Sequence, residues 1–364
     1  MSGTKRILFL VPYPIGQAPS QRFRFEQYLP FLTKSGFDIT ISSFLDLSAW
    51  RILYRKGNFP GKVVGLIRGY LRRLSDLISL YRYDMVFVHR EASPFGPPWI
   101  EWVVARLFRI PMLFDFDDAI WLPNTSRSNS ALASKMKSFS KTATICKWSH
   151  AVIVGNEYLA AYARLHNQNV FVIPTTIDTV GLHNAVVKHE NARLVVGWTG
   201  SHSTLPLLLP LLPVLKRLRQ EVDFELRVVC DEDPGLDLSG VVFVPWTKED
   251  EIEQLMKFDV GIMPLPDNQW TRGKCGFKAL QYMSLGIPAL VSPVGVNAEI
   301  VDHGINGLHC TTDEDWLQGL RRLSEDRAFL KSLAVHCRPK VEQYYSVNSQ
   351  AGRYLSVLQS TLKP

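Results

Sequence analysis

Twelve short apolar runs, each bounded by turn residues and alternating with amphipathic segments, constrain this chain more than any other feature of its sequence. That alternation is the pattern of βα units wound around a parallel sheet, whose strands are buried on both faces and therefore read as continuous apolar runs. The first half predicts strands at Ile7–Tyr13, Ile39–Phe44, Met85–His89, Met112–Phe116, Ala151–Val154 and Val170–Pro174. The second half predicts Leu194–Trp198, Glu225–Val229, Val241–Pro245, Val260–Pro264, Pro288–Ser292 and Gly307–Cys310. At 364 residues the chain exceeds the size at which one core keeps growing, so two α/β, Rossmann-like domains are expected. The polar stretch Thr175–Asn191 marks the boundary, giving domains at 1–182 and 183–345. A last segment, 346–364, holds a predicted helix at Ser349–Leu362 that packs back toward the first domain.

Composition excludes several classes. With 46% apolar and 21% charged residues, and no low-complexity tract, the chain is expected to fold throughout. The five cysteines, Cys146, Cys230, Cys275, Cys310 and Cys337, are scattered, odd in number and without a CxxC pair. That fits neither a disulfide framework nor a zinc site, and it suits a reducing cytosol. The opening MSGTKRILFLVPYP puts two basic residues before an apolar run, but Pro12 and Pro14 end the run and no small-residue cleavage site follows, so it reads as a first buried strand. No run approaches the ~20 apolar residues of a spanning helix, so any membrane contact is expected to be peripheral. The net charge of +7 and pI near 9.1 fit an anionic partner: a nucleotide sugar, an acidic lipid surface or nucleic acid. A recognised nucleic-acid motif is lacking, which argues against the last.

In open parallel sheets, ligands bind beyond the carboxyl ends of the strands, so residues just after the strands carry the chemical interest. The stretch Arg272–Val301 sets Gly276 at a loop-to-helix junction, a helix of about ten residues, a stop at Gly286, and a strand followed by the turn Pro293-Val294-Gly295. Free N–H groups at a helix start bind phosphate, and Lys274 and Lys278 flank this one. A plain βα unit with solvated lysines would look the same. In the first half, the loop Pro14–Arg24 contains Gly16, Ser20, Arg22 and Arg24. Arg22 and Arg24 lie two apart and would point to different helix faces, so one is expected to reach ligand and the other to be solvated. Asp115, Asp117 and Asp118 end one strand; His89, Arg90 and Glu91 end another. A strand-end histidine with a nearby acid suits acid/base work or acceptor binding, and is also commonly structural; His202, beside the glycine loop, stands the same way.

The helix ending in Tyr-Met, then a small residue, Gly, Pro and an apolar strand, resembles the donor-binding segment of family-4 glycosyltransferases, which have the GT-B fold of two facing Rossmann-like domains with a cleft between them. The run Lys274–Asn297 resembles a bacterial subgroup with GKCxFKxLQYM and GxPxxxSPVGVN, and GWTGSHST, FDVGIMPLPD, HREASPFGPP and FDFDDAIW extend the likeness over nearly the whole chain. The resemblance implies transfer of a sugar from a nucleoside-diphosphate donor to a glycan or lipid-linked acceptor, with retention of configuration, in the cytoplasm and at the inner face of the cell membrane, as in envelope polysaccharide synthesis. It places the donor in the second domain and the acceptor in the first. Gly16, Arg22, Gly200, Ser201, Lys274, Gly276, Phe277, Lys278 and Gln281 are the implied donor-binding residues, and Asp117, Asp118, His89 and Lys278 the implied catalytic ones. Diphosphate charge falls to Lys274, Lys278 and Arg272, with no metal and no cofactor beyond the donor itself; the Asp-x-Asp of FDFDD lies in the wrong half for a metal-held nucleotide. Two departures stand out. After the glycine of the second domain's first strand members often carry an Arg and a Lys, where Gly200, Ser201, Ser203 and Thr204 of this chain are expected to offer backbone N–H groups and hydroxyls instead. Many members carry two glutamates with seven residues between them, where this chain has Gly273 and Gln281. Gln281 can still accept from a ribose hydroxyl, but without charge. A GT-B scaffold that binds a nucleotide or glycan without turnover is the alternative this leaves.

The segment Trp50–Arg82 mixes Trp50, Tyr54, Phe59 and Tyr70 with Arg51, Arg55, Lys56, Lys62, Arg68, Arg72 and Arg73. Basic and aromatic residues together suit an anionic bilayer surface; an ordinary amphipathic surface helix is the other reading.

Overall fold

The computed structural model describes residues 4–53, 57–123 and 139–362. Tyr54, Arg55 and Lys56 of the basic segment lie outside the described residues. The chain divides into two compact units, Met1–Thr175 with Gln350–Pro364, and Thr176–Ser349. The helix Val347–Leu362 therefore carries the chain out of the second unit and back into the first, where Tyr354 stacks on Tyr28 with ring centroids 4.3 Å apart.

Each unit is built on a parallel six-stranded sheet. The first holds β1 (Lys5–Val11), β2 (Phe37–Ser43), β3 (Met85–His89), β4 (Met112–Phe116), β5 (Ala151–Val154) and β6 (Val170–Val172), in the order β2-β1-β3-β4-β5-β6. The second holds β7 (Leu194–Thr199), β8 (Phe224–Cys230), β9 (Val241–Pro245), β10 (Val260–Met263), β11 (Ala289–Val291) and β12 (Gly307–His309), in the order β12-β11-β10-β7-β8-β9. All twelve apolar runs are strands, with ends that coincide or are shifted by one or two residues. The runs were legible because β3 and β4 are buried at every position, as is β7.

Strand order fixes where a ligand can go. The path from β1 leaves toward β2, then returns over β1 to β3, so the first sheet reverses between β1 and β3. The second reverses between β7 and β10. At such a switch point the flanking loops part and leave a crevice beyond the strand ends. The loops containing Gly16 and His89 flank the first reversal. The loop containing Gly200 and the segment after β10 flank the second.

Glycines within the second sheet set how closely its cover can approach. A Cβ on Gly197 would lie 1.9 Å from the Phe258 ring, and one on Gly261 would lie 2.1 Å from Tyr282. Both rings therefore lie directly on the backbone. Tyr282 belongs to the helix Phe277–Ser284, and its hydroxyl accepts the N–H of Thr199 at 3.0 Å. That bond fixes the helix against the end of β7.

Candidate functional site

In the second unit, the helix Phe277–Ser284 begins at Gly276, whose φ of 68° is left-handed. A side chain there would also place its Cβ 2.1 Å from Ile300 Cδ1, so both conformation and space require glycine. The short helix Gln269–Arg272 precedes it, started by a capping box between Asn268 and Thr271. The turn at Gly295 closes against the Arg272 backbone, with a Cβ position 2.7 Å from Arg272 O. These contacts set the end of Gln269–Arg272 against Gly295, and the helix Asn297–Ile300 against the helix start at Gly276. Asn297 is fully buried; its Nδ2 donates to Ser292 O, and its Oδ1 has no partner among the described residues.

Lys278 lies in the first turn of the main helix, with Nζ 5.6 Å from the centre of the Trp198 ring. The same indole lies 2.3 Å from where a Gly200 Cβ would stand, so one buried ring supports both the glycine loop and the lysine. Among the described residues no carboxylate pairs with Lys278. Burial, with the like charge of Lys274 adding to it, brings the Lys278 amine down to about 8. Lys274 itself places Nζ 3.6 Å over the Trp270 ring. Two cations thus converge beside a helix start, an arrangement suited to a diphosphate.

Gln281, one turn beyond Lys278 on the same face, is 1% exposed. Its Nε2 donates to Glu251 Oε1 at 3.3 Å, and Trp246 Nε1 donates to the same oxygen at 3.2 Å. Glu251 starts the helix Glu251–Leu255 and is buried. A carboxylate therefore stands beside Gln281 after all, delivered from thirty residues upstream rather than from the helix itself. The sequence signal for it was weak: a first-turn glutamate is ordinary at a helix start.

Several expectations need correction. The N–H groups of the glycine loop are committed internally: Gly200 donates to Val229 O, Ser201 to Thr204 Oγ1, and His202 to Asp231 Oδ1. What the loop retains is hydroxyl, the Ser201 and Ser203 pair at 2.8 Å. His202 Nδ1 lies 2.6 Å from Asp231 Oδ2, a partner unremarked in the sequence. Arg272 forks onto Asp267 at 2.6 and 2.9 Å, exposed to solvent. The helix is eight residues, not ten. Phe277, at its first position, is partly exposed.

In the first unit the strand-end charges meet one another. Asp115 is 1% exposed; its Oδ1 accepts from Arg24 Nη2 at 2.5 Å and its Oδ2 lies 2.7 Å from His89 Nδ1. Burial alone would push this carboxyl up, but Arg24 and His89 outweigh it and hold it below the usual range. Arg24 Nη1 also donates to Ile173 O. Arg22 and Arg24 are both buried, so neither is the solvated arginine that their spacing suggested; the helix Pro19–Arg22 ends before Arg24, and the facing argument does not apply. Asp115 is part of the core, held there by its ion pair. His89 is fully buried, with Nε2 lacking a partner among the described residues. Asp117 pairs with Arg90 at 2.7 Å, and Asp118 accepts the N–H of Ala119 at 3.1 Å. Gly16, with φ of 77°, donates its N–H to Glu26. Among the described residues, no three His, Cys, Asp or Glu side chains group as metal ligands.

Comparison with known proteins bears on both units. Solved structures similar along the whole chain include sucrose-phosphate synthase from Thermosynechococcus elongatus, at 13% identity and TM-score 0.70, covering 98% of each chain. A glycosyltransferase from Rickettsia africae also aligns at 13% identity and TM-score 0.70, covering 100% of both. HepE of Anabaena, solved with UDP and glucose, aligns at 14% identity and TM-score 0.65, covering 98% of this chain and 100% of its own. No curated protein sequence matches the chain. Residues 193–326, which contain the helix starts around Gly276, match the family described as "Glycosyl transferases group 1". With two parallel six-stranded α/β units and these structural neighbours, the fold of the chain is GT-B.

Proposed function

We propose that the chain is a glycosyltransferase that moves a hexose or related sugar from a nucleoside diphosphate to a glycan or lipid-linked acceptor, with retention of configuration. The observation that carries this reading is Lys278: a partly buried cation in the first turn of a helix, paired with no carboxylate among the described residues, and pressed by a second lysine. Lys278, a cation beside a second positive charge, gains from an anion, and gains more as negative charge grows on the departing diphosphate. The N–H groups near Gly276 add donors at the same place. Gln281 and Glu251 together offer an amide and a carboxylate to ribose hydroxyls. Asp117, Asp118 and His89 are assigned to the acceptor side, where Asp115 holds the His89 ring by its Nδ1. Retention rests on the resemblance to family-4 enzymes.

HepE was solved with UDP-glucose, which makes UDP-hexoses the first donors to try. The test is steady-state kinetics of donor turnover for the wild type and Lys278→Ala. Loss of a charge-assisted contact made chiefly in the transition state costs about 2–4 kcal/mol, or roughly a hundredfold in kcat, with a smaller change in donor KM. A folded Lys278→Ala protein with near-normal kcat sinks the assignment.

A further inference from the structure

The helix Phe59–Ile78 is seated on the first unit by the wrong side for an ordinary surface helix. Its inward face is made of Gly65, where a Cβ would lie 2.7 Å from Ala49 Cβ, and Gly69, where it would lie 2.6 Å from the Phe44 ring. Arg73 completes that face: fully buried, it donates to Ala92 O, Val11 O and Ser42 Oγ and pairs with Asp76. Leu66 and Tyr70 pack beside it against Phe44, Leu45 and Ala49, but five other large apolar side chains point away. Val64, Ile67, Leu71, Leu74 and Ile78 are 45–77% exposed, at spacings of three and four that align them in one stripe. Tyr81, three residues on and 70% exposed, extends it. Single exposed apolar residues are unremarkable, but a continuous stripe along about 21 Å of helix is a surface built to be covered.

Charge says what covers it. Arg68, exposed and 3.7 Å from Asp46, and Arg82, exposed, stand beside the stripe, and the one acid of the helix, Asp76, is engaged with Arg73 and Ser42. The next crossover adds Trp102, Leu107 and Phe108, all exposed, with Arg106 among them. The steps β2 to β3 and β3 to β4 run in the same direction, and right-handed crossovers put both connections on one face of the sheet. Tyr70 ties them together by donating to Phe95 O. A second copy fits this surface poorly, because in an antiparallel pair centred on the stripe Arg68 of one copy would face Arg82 of the other, cation against cation. An apolar stripe rimmed by cations fits an anionic bilayer, with the side chains in the acyl boundary and the guanidinium groups at the headgroups.

We infer that this helix docks the protein flat on an anionic lipid surface. The inference stands apart from the transferase reading, because its test involves no sugar. Full-length protein is floated with vesicles of phosphatidylcholine and with vesicles that also contain phosphatidylglycerol. Partitioning should be about tenfold or more stronger on the anionic vesicles and should weaken with salt. Ile67→Ser combined with Leu71→Ser, both at exposed positions, should lower it about tenfold while leaving Tm within a few degrees. Arg68→Glu should weaken binding several-fold to the anionic vesicles alone, and decides the matter by itself if the double variant does not fold. Wild-type protein that stays off anionic vesicles overturns the inference. So does a double variant, or an Arg68→Glu protein, that floats like wild type, or a dimer in sedimentation that the double variant dissolves.

Discussion

The two units place charge at their strand ends in opposite ways. In the first, Arg24, Asp115 and His89 neutralise one another in the interior, and Arg90 does the same for Asp117. In the second, Lys278 is left without a carboxylate beside another lysine. Matched buried charge holds a loop in one arrangement; unmatched cationic charge costs stability until an anion arrives. On the proposed function the first cluster is a brace and the second a receptor, though both sit at the carboxyl ends of parallel strands.

The hardest blow to this contrast would come from Asp115→Ala. Removing the shared acid strands a buried guanidinium, and unfolding should become easier by about 3–5 kcal/mol, read from denaturant titration. A loss below about 1 kcal/mol would mean that Arg24 finds water, and the brace would be no brace. Next in size is Gly276→Ala, which forces a side chain into left-handed backbone against Ile300. About 2–3 kcal/mol of destabilisation is expected, together with loss of nucleotide binding by calorimetry.

A smaller effect sharpens the comparison through pH. The Lys278 amine loses its proton as pH rises through about 8, and with it the charge that draws the donor. Donor kcat/KM should then fall about tenfold per pH unit above that point, and Lys278→Arg should flatten the fall because a guanidinium stays charged. A flat wild-type profile to pH 10 would remove Lys278 from the site. The smallest effect is on stability. With the amine pKa lower in the folded chain than its ordinary 10.5, the folded state binds fewer protons, so stability rises with pH between about 8 and 10.5. Lys278→Met should remove that dependence and raise Tm by roughly 2–4 °C.

Sequence reasoning found the strands because a parallel sheet needs unbroken apolar runs. It found Gly276, Lys274 and Lys278 because helix starts are punctuated locally. Pairings across long separations were hidden: Arg24 and Asp115 stand 91 residues apart, and only the strand order brings their loops together. Glu251 was hidden for the same reason. The stripe on Phe59–Ile78 was hidden differently. Apolar residues at helical spacing are ordinarily read as facing inward, and here glycine and a buried arginine take that side. Basic and aromatic composition drew attention to the region without giving the direction of its face.

The order of units along the chain bears on synthesis at the ribosome. The second unit, Thr176–Ser349, is continuous, whereas the first is interrupted by it. Tyr28 is made early, but Tyr354, the ring that stacks on it, emerges only after the whole second unit has been translated. Domains fold as units during synthesis. The nascent second unit can therefore complete its core first, while the earlier-made half waits with Tyr28 unstacked for the last helix to leave the exit tunnel.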